Sequence, residues 1–250
     1  MEEPLQNKIA LVTGASKGLG KAIALRLAKD GATVIVNYAS DQAGAEGVVT
    51  QISKNGGKAH ALQGDLSRVD NIKKMFAEMA DLGFKKLDIL VNNAGVFPPG
   101  GLENATEETF DKIFNINVKG LFFTTQEAAK RMQDGGRIVN ISTGLTRYTS
   151  PVLGLYSASK GAVDIMTRDF AAILGPRGIT ANAVHPGLTA TEGTSGMTSN
   201  KNIVAEIVKG TALNRLGEPS DIADIVAFLC SNDARWVTAQ HIEASGGARL

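Results

Sequence analysis

Cysteine is almost absent from this chain. Cys230 is the only one in 250 residues, so no disulfide can form within it and a disulfide-stapled secreted scaffold is excluded. Histidine is scarce too. His60, His185 and His241 stand far apart, without the spacing of metal ligands, and no metal site is expected. The formal net charge is only +1 and no basic run occurs, so nothing marks a nucleic-acid or anionic-membrane surface. No apolar run reaches the roughly 18 residues of a membrane helix. The opening Met1-Glu2-Glu3-Pro4 is acidic and polar, unlike a signal peptide, which makes the cytoplasm the expected location.

What is present is ordinary for a globular protein: 43% hydrophobic and 20% charged residues. A chain of this length can bury roughly 70–75% of its unfolded surface. No linker interrupts it, and residues 1–250 are read as one domain. Short apolar runs predict strands over 8–13, 33–37, 58–64, 87–92, 136–142, 179–184 and 238–244. Between them, apolar residues at helical spacing predict a helix ending near residue 30, then helices over 41–55, 69–82, 106–132, 156–174, 201–209 and 219–229. The fourth of these is expected to break near Asn115. Strict alternation of buried strands and helices predicts an α/β fold: a Rossmann-type, doubly wound parallel sheet of about seven strands with helices on both faces. Ligands of such sheets bind beyond the carboxyl ends of the strands. Gly14, Asp65, Asn92, Ser142 and Pro186 all fall at such ends.

The first predicted strand leads into Thr13-Gly14-Ala15-Ser16-Lys17-Gly18-Leu19-Gly20. Glycines between a strand and a helix let the backbone approach a pyrophosphate and leave the helix N-terminus facing it. Gly14, Ser16, Lys17, Gly18, Leu19 and Gly20 are therefore candidate cofactor-binding residues.

Tyr156-Ser157-Ala158-Ser159-Lys160 places a phenol and an ammonium one helical turn apart. A unit charge at about 4 Å is worth roughly 4 kcal/mol at an effective dielectric of about 20. Such a lysine is expected to pull the tyrosine pKa down from near 10 toward neutrality, where acid–base catalysis is efficient.

Five features together resemble the short-chain dehydrogenase/reductase family, and they span nearly the whole chain. They are the G-x-x-x-G-x-G turn, Asn92-Asn93-Ala94-Gly95, Asn117-Val118-Lys119-Gly120, Tyr156-x-x-x-Lys160, and Pro186-Gly187 with Thr191. Within the family the general cast is that of 3-oxoacyl-carrier-protein reductases and of glucose and other sugar dehydrogenases. The resemblance implies hydride transfer between a nicotinamide and a small carbonyl or alcohol. Tyr156 is then the general acid/base, Lys160 its partner and a ribose ligand, and Asn117 the holder of a relay water. It further implies cofactor contacts from Asp65, Leu66, Asn92, Ala94, Gly95, Tyr156, Lys160, Pro186, Gly187, Thr189 and Thr191, and a homotetramer in whose interfaces the tail packs.

The serine that the family places thirteen residues before the tyrosine is Thr143 here, and Ser142 is its neighbour. Either hydroxyl can donate to a substrate oxygen. The second strand ends at Asn37-Tyr38-Ala39-Ser40, without the carboxylate that holds a ribose 2′-hydroxyl in NAD-specific relatives of this fold. Asn37, Tyr38, Ser40 and Lys17 favour NADP(H), with NAD(H) as the alternative. Asp41 is read as a helix-start residue. A non-catalytic NADP(H)-binding redox sensor is the competing reading. The intact Tyr156, Lys160 and Asn117 argue against it, and the missing serine is the one feature for it.

Overall fold

Seven short runs pair into one parallel sheet in the order β3-β2-β1-β4-β5-β6-β7. The strands are β1 (Ile9–Val12), β2 (Thr33–Tyr38), β3 (Lys58–Gln63), β4 (Leu87–Asn92), β5 (Met132–Ile141), β6 (Thr180–Pro186) and β7 (His241–Ala244). The computed structural model describes residues 3–148 and 150–249. Met1 and Glu2 of the polar opening and Leu250 of the tail lie outside them. The principal helices are α1 (Gly18–Lys29), α2 (Gln42–Lys54), α3 (Val69–Asp81), α4 (Glu107–Phe114), α5 (Leu121–Ala129), α6 (Gly154–Leu174), α7 (Ser195–Thr198), α8 (Lys201–Lys209) and α9 (Pro219–Cys230). No helix among the described residues is long and apolar enough to cross a membrane.

The period-2 alternation of the strands divides the core in two. Ala10, Val12, Val34 and Val36 face one layer, where they meet Ile23 and Leu27 of α1, Ile52 of α2 and Val226 of α9. Leu11 and Ile35 face the other, against Ile72, Phe76, Leu121, Val163 and Phe170 of α3, α5 and α6. Both faces are covered, which is why the strands read as unbroken apolar runs. The strand order reverses direction between β1 and β4, so the first βα turn opens beside the loop after β4.

Local chemistry sets the helix starts. Asp41 accepts from the Gly44 amide and caps α2, as expected of it. Thr106 caps α4 through the Thr109 amide. Pro219 opens α9 behind a reciprocal Glu218–Asp221 capping box. Arg215 and the Glu218 amide hold the Asp221 carboxyl down to about 2.

Four expectations shift in detail. The break near Asn115 is a π-helical turn, Asn115–Gly120, that joins α4 to α5. There a side chain at Gly120 would meet the Leu66 carbonyl at 2.6 Å, so the turn bends around the end of the β3–α3 loop. Strand β5 begins at Met132, with a register irregularity opposite Leu87 and Ile89. Helix α6 starts two residues before Tyr156. Strand β7 is shorter than expected, since Ala239 takes a left-handed conformation (φ 59) just before it.

Polar residues inside the second layer form a closed chain. Asn92 donates to Thr125 (2.9 Å) and to Asn140 (2.8 Å), and Asn140 donates to Thr167 (2.9 Å). This ties β4, β5, α5 and α6 together just below the carboxyl ends. Replacing Asn140 by Ala removes one of the two acceptors of the Asn92 amide and the donor to Thr167, and leaves a hole. It should cost about 2–3 kcal/mol, read as a lowered urea midpoint at unchanged slope. An unchanged midpoint would mean that the network is not structural.

Candidate active site

The glycine turn is built by steric necessity. Gly14 (φ 60) and Gly18 (φ 57) have left-handed backbones that glycine adopts without strain. A Cβ on Gly20 would lie 2.4 Å from the Gly14 carbonyl. Two residues not singled out from the sequence brace the turn. Thr13 Oγ1 accepts from the amides of Asn93 (2.9 Å) and Ala94 (3.0 Å), and the Asn93 side chain donates to the Thr13 and Gly14 carbonyls. Their signal was present: a threonine entering the turn and a polar residue directly after β4. Ala94 in turn packs 3.0 Å from where a Gly14 side chain would be.

Lys17 is exposed and makes no side-chain cap on α1, so the first amides of that helix face outward. The Gly18 amide donates to the carboxylate of Glu192, 3.0 Å away in the loop after β6. A carboxylate thus occupies the seat that a phosphate would take at this helix end, and the turn fits an anionic cofactor. Thr191 approaches Gly18 from the same loop. Thr191 is also paired with Thr194, and Thr189 donates to the Gly187 carbonyl at 3.1 Å. Gly187 lies so close to Ser245 that a side chain would collide at 2.9 Å, which brings the turn after β6 onto the C-terminal segment.

Asn37, expected among the cofactor residues, directs its side chain into the protein. It is buried inside the sheet end, accepting from the Gly14 amide (3.1 Å) and donating to the Gly64 carbonyl (3.1 Å). The cause is strand register: Asn37 points inward between β1 and β3, and Tyr38 ends the strand. The exposed residues beyond that end are Ala39 and Ser40. Asp65 accepts from the Ser67 amide and hydroxyl, both at 2.9 Å, and Leu66 is buried beside it. Asn92 belongs to the internal network described above, consistent with a supporting role.

The reactive groups gather at the ends of β4, β5 and β6. Lys160 is buried and donates to the Ile141 carbonyl at 2.6 Å. Gly95 leaves room for it, since a Cβ there would lie 3.5 Å from the ammonium and 3.3 Å from the Asn117 carbonyl oxygen. Asn117 is fully engaged: it exchanges two 2.9 Å bonds with the Val96 backbone and donates to Ser159 at 3.0 Å. Its side chain therefore holds the loop after β4 against α6, and only its main chain in the π turn is left to hold a water. The Thr143 hydroxyl faces the Tyr156 phenol closely enough to favour the ionised form. Ser142 is turned instead toward the Lys160 carbonyl (3.4 Å) and Asp164. Phe97, another residue not anticipated, stands edge-on to Tyr156 with ring centroids 5.8 Å apart, and a side chain at Gly193 would meet its ring at 3.6 Å.

The expected effect of Lys160 on Tyr156 is not found in this state. Burial pushes the phenol up to about 12, and Thr143 only partly opposes it. The ammonium is directed at Ile141 and sits 5.9 Å from the centre of the tyrosine ring. Burial also lowers Lys160 to about 8, against the pull of the Asp164 carboxylate. At neutral pH both protons are therefore in place.

Histidine spacing misled in one respect. Folding brings His185 and His241 together with stacked rings 5.2 Å apart, whereas His60 lies elsewhere against Phe84. A larger cavity, about 720 Å³, lies at the amino ends of the strands among Glu3, Arg26, Lys58 and Asp224, and contains none of the converging groups.

The Lys160 value has a consequence for stability. Between pH 8 and 10.5 the unfolded chain still holds a lysine proton that the folded chain has released, so this group makes the fold more stable as pH rises. Across that window wild type should gain up to about 3 kcal/mol relative to Lys160→Met in urea titrations. Parallel pH curves for the two proteins would contradict the burial argument.

Comparison with known proteins adds the following. Residues 14–249 match the family model described as enoyl-(acyl carrier protein) reductase. The chain is 48% identical to an uncharacterized oxidoreductase of Methylorubrum extorquens, covering 98% of this chain and 99% of that protein. It is 42% identical to the hydroxynaphthalene reductase-like protein Arp2 of Metarhizium brunneum, over 98% and 96% of the two. Among solved structures it is similar to the angucycline C-6 ketoreductase LanV with bound NADP, at 42% identity and a TM-score of 0.93, over 99% and 97% of the chains.

Proposed function

The chain belongs to the short-chain dehydrogenase/reductase family and is an oxidoreductase of that family, and from that premise we propose that it is an NADPH-dependent ketone reductase whose proton donor is Tyr156. The observation that carries the reading is the grouping of the Tyr156 phenol, the Thr143 hydroxyl and the buried Lys160 ammonium at the carboxyl ends of β5 and β6, beside the braced glycine turn. The nicotinamide, when bound, supplies the hydride. Tyr156 gives its proton to the carbonyl oxygen, and its high pKa keeps that proton loaded in the free protein. Thr143 takes the serine role and orients the same oxygen; Ser142 faces away from it. Lys160 reloads the phenol, with solvent reaching it through a water on the Asn117 main chain.

The choice of NADP(H) rests on Lys17 and Ser40, both exposed near the glycine turn and the end of β2, and on Asp41 being committed to its cap. Pro186 and Gly187, with Thr189 and Thr191, line the nicotinamide side. NAD(H) remains the alternative cofactor. The bound NADP of LanV supports the preference. The aromatic wall of Phe97, and relatives named for hydroxynaphthalene and angucycline substrates, point to aromatic and polycyclic ketones within the broad carbonyl class. Exposed Phe122 on α5 and Ile165 and Ile173 on α6 suit a homotetramer paired through those helices, and we place the protein in the cytoplasm.

The test follows NADPH oxidation at 340 nm against ketones, acetoacetyl thioesters, sugars and an enoyl thioester, with NADH in parallel. Tyr156→Phe should lose at least about a hundredfold in kcat, as befits a general acid. Thr143→Ser should stay close to wild type and Thr143→Val should fall. For reduction, kcat/KM should decline as pH rises past about 8, where Lys160 gives up its proton. Tight NADPH binding without turnover of any substrate would favour the redox sensor, and turnover of the enoyl thioester alone would replace carbonyl with double-bond reduction.

A further inference from the structure

One turn beyond Lys160 on α6, a second group of chemistry-bearing side chains is assembled. Strands β6 and β7 pair with His185 opposite Glu243 and Ala183 opposite His241. Because side chains alternate along a strand, this register puts His185, His241 and Glu243 on the same sheet face. Asp164 of α6 meets them there. His185 Nε2 lies 2.9 Å from the Asp164 carboxylate, and His241 Nε2 lies 3.1 Å from the Asp164 main-chain oxygen. The two imidazoles stack at 5.2 Å. One ligand atom from each of Asp164, His185 and His241 falls within 4.8 Å of the others.

The surroundings complete the arrangement. Glu243 Oε2 stands 4.0 Å from His185 Nδ1 and 2.9 Å from the Arg147 guanidinium. Both Glu243 oxygens are closed off from solvent and lack a hydrogen bond, so charge is what ties them to Arg147 and His185. A cavity of about 360 Å³ adjoins the group, lined also by Thr146 and Arg168. Arg168 is exposed, free to keep its charge in water.

The geometry points to a divalent transition-metal site, of the class that takes Zn²⁺, with Asp164, His185 and His241 as ligands and a water from the cavity as the fourth. Tetrahedral Zn²⁺ with ligands at about 2.0–2.1 Å holds its donor atoms about 3.4 Å apart, so side-chain shifts of about 1.5 Å or less close the site. Two imidazoles and one carboxylate suit Zn²⁺ and Co²⁺ better than Mg²⁺ or Ca²⁺, which prefer all-oxygen sets. His185 Nε2, which donates to Asp164 here, gives up its proton on binding metal, and Glu243, 4.0 Å from Nδ1, is placed to take the Nδ1–H of the metal-bound ring, the usual role of a carboxylate behind a metal-bound histidine. The ligands do not include Tyr156, Thr143 or Lys160, although Asp164 also acts on the Lys160 ammonium one turn earlier on α6.

The experiment titrates the full-length, metal-free protein with Co²⁺, reading visible ligand-field absorption, and then displaces Co²⁺ with Zn²⁺. Thermal melts with and without Zn²⁺ run alongside. One equivalent of Co²⁺ per chain, displaced by one of Zn²⁺, and a melting point raised by Zn²⁺ are expected. His241→Ala should abolish both signals while keeping the unliganded melting point and the basal NADPH oxidation, because His241 is only half-buried and its loss leaves no large hole. Glu243→Gln should weaken binding about tenfold or more. Wild type that takes up no Co²⁺, or His241→Ala that binds it as well as wild type, would overturn the proposal.

Discussion

A lysine ammonium buried at the end of a parallel sheet is the most demanding group in this structure, and much of the neighbouring chain is arranged to tolerate it. Moving a charge out of water costs several kcal/mol even after relaxation. Here the cost is offset by a short bond to the Ile141 carbonyl at the tip of β5 and by the Asp164 carboxylate one turn further along α6. A Cβ at Gly95 would sit tightly against the Asn117 side-chain oxygen, at 3.3 Å, and in ordinary contact with the ammonium. Asn117 is needed because its amide staples the loop after β4 to α6 through Val96 and Ser159. The π turn that carries Asn117 is the local compromise that lets α4 and α5 run on while one asparagine is turned inward.

This burial also explains why the tyrosine and the lysine behave differently from a surface pair. On a water-exposed helix, two groups one turn apart would be coupled chiefly through their charges. Both are instead removed from water, and desolvation dominates each. The phenol is held in its neutral form and the ammonium is brought toward its own titration range. In a ketone reduction the neutral phenol is the reactive form, so burial serves the proton-donating direction.

Much of this was legible in the chain. The alternating strands, the glycine turn and the Tyr156–Lys160 pair all follow from period and spacing, because local sterics fix them. What was not legible depends on which way a strand residue points and on which strands become neighbours. Asn37 was read as standing where NAD-specific relatives carry a carboxylate, but its side chain is turned inward, where it ties the glycine turn to the end of β3. Position favoured Thr143 over Ser142 without showing where either hydroxyl points; the turn after β5 aims Thr143 at the phenol and Ser142 at α6. His185 and His241 are 56 residues apart, and only the pairing of β6 with β7 makes them neighbours.

The same alternation accounts for the two different chemistries at one end of the sheet. The loops leaving β1, β4, β5 and β6 curl over the strand tips and gather Gly14, Gly95, Thr143 and Gly187 around one cleft. Side chains that end the strands rather than their loops are directed sideways, into the layer between the sheet and α6, and there His185, His241 and Glu243 meet Asp164. Helix α6 borders both, with Tyr156 and Lys160 on its first two turns and Asp164 on the next. Glu192 marks the other boundary of the cleft. Its carboxylate accepts from the Gly18 amide and so ties the loop after β6 to the glycine turn.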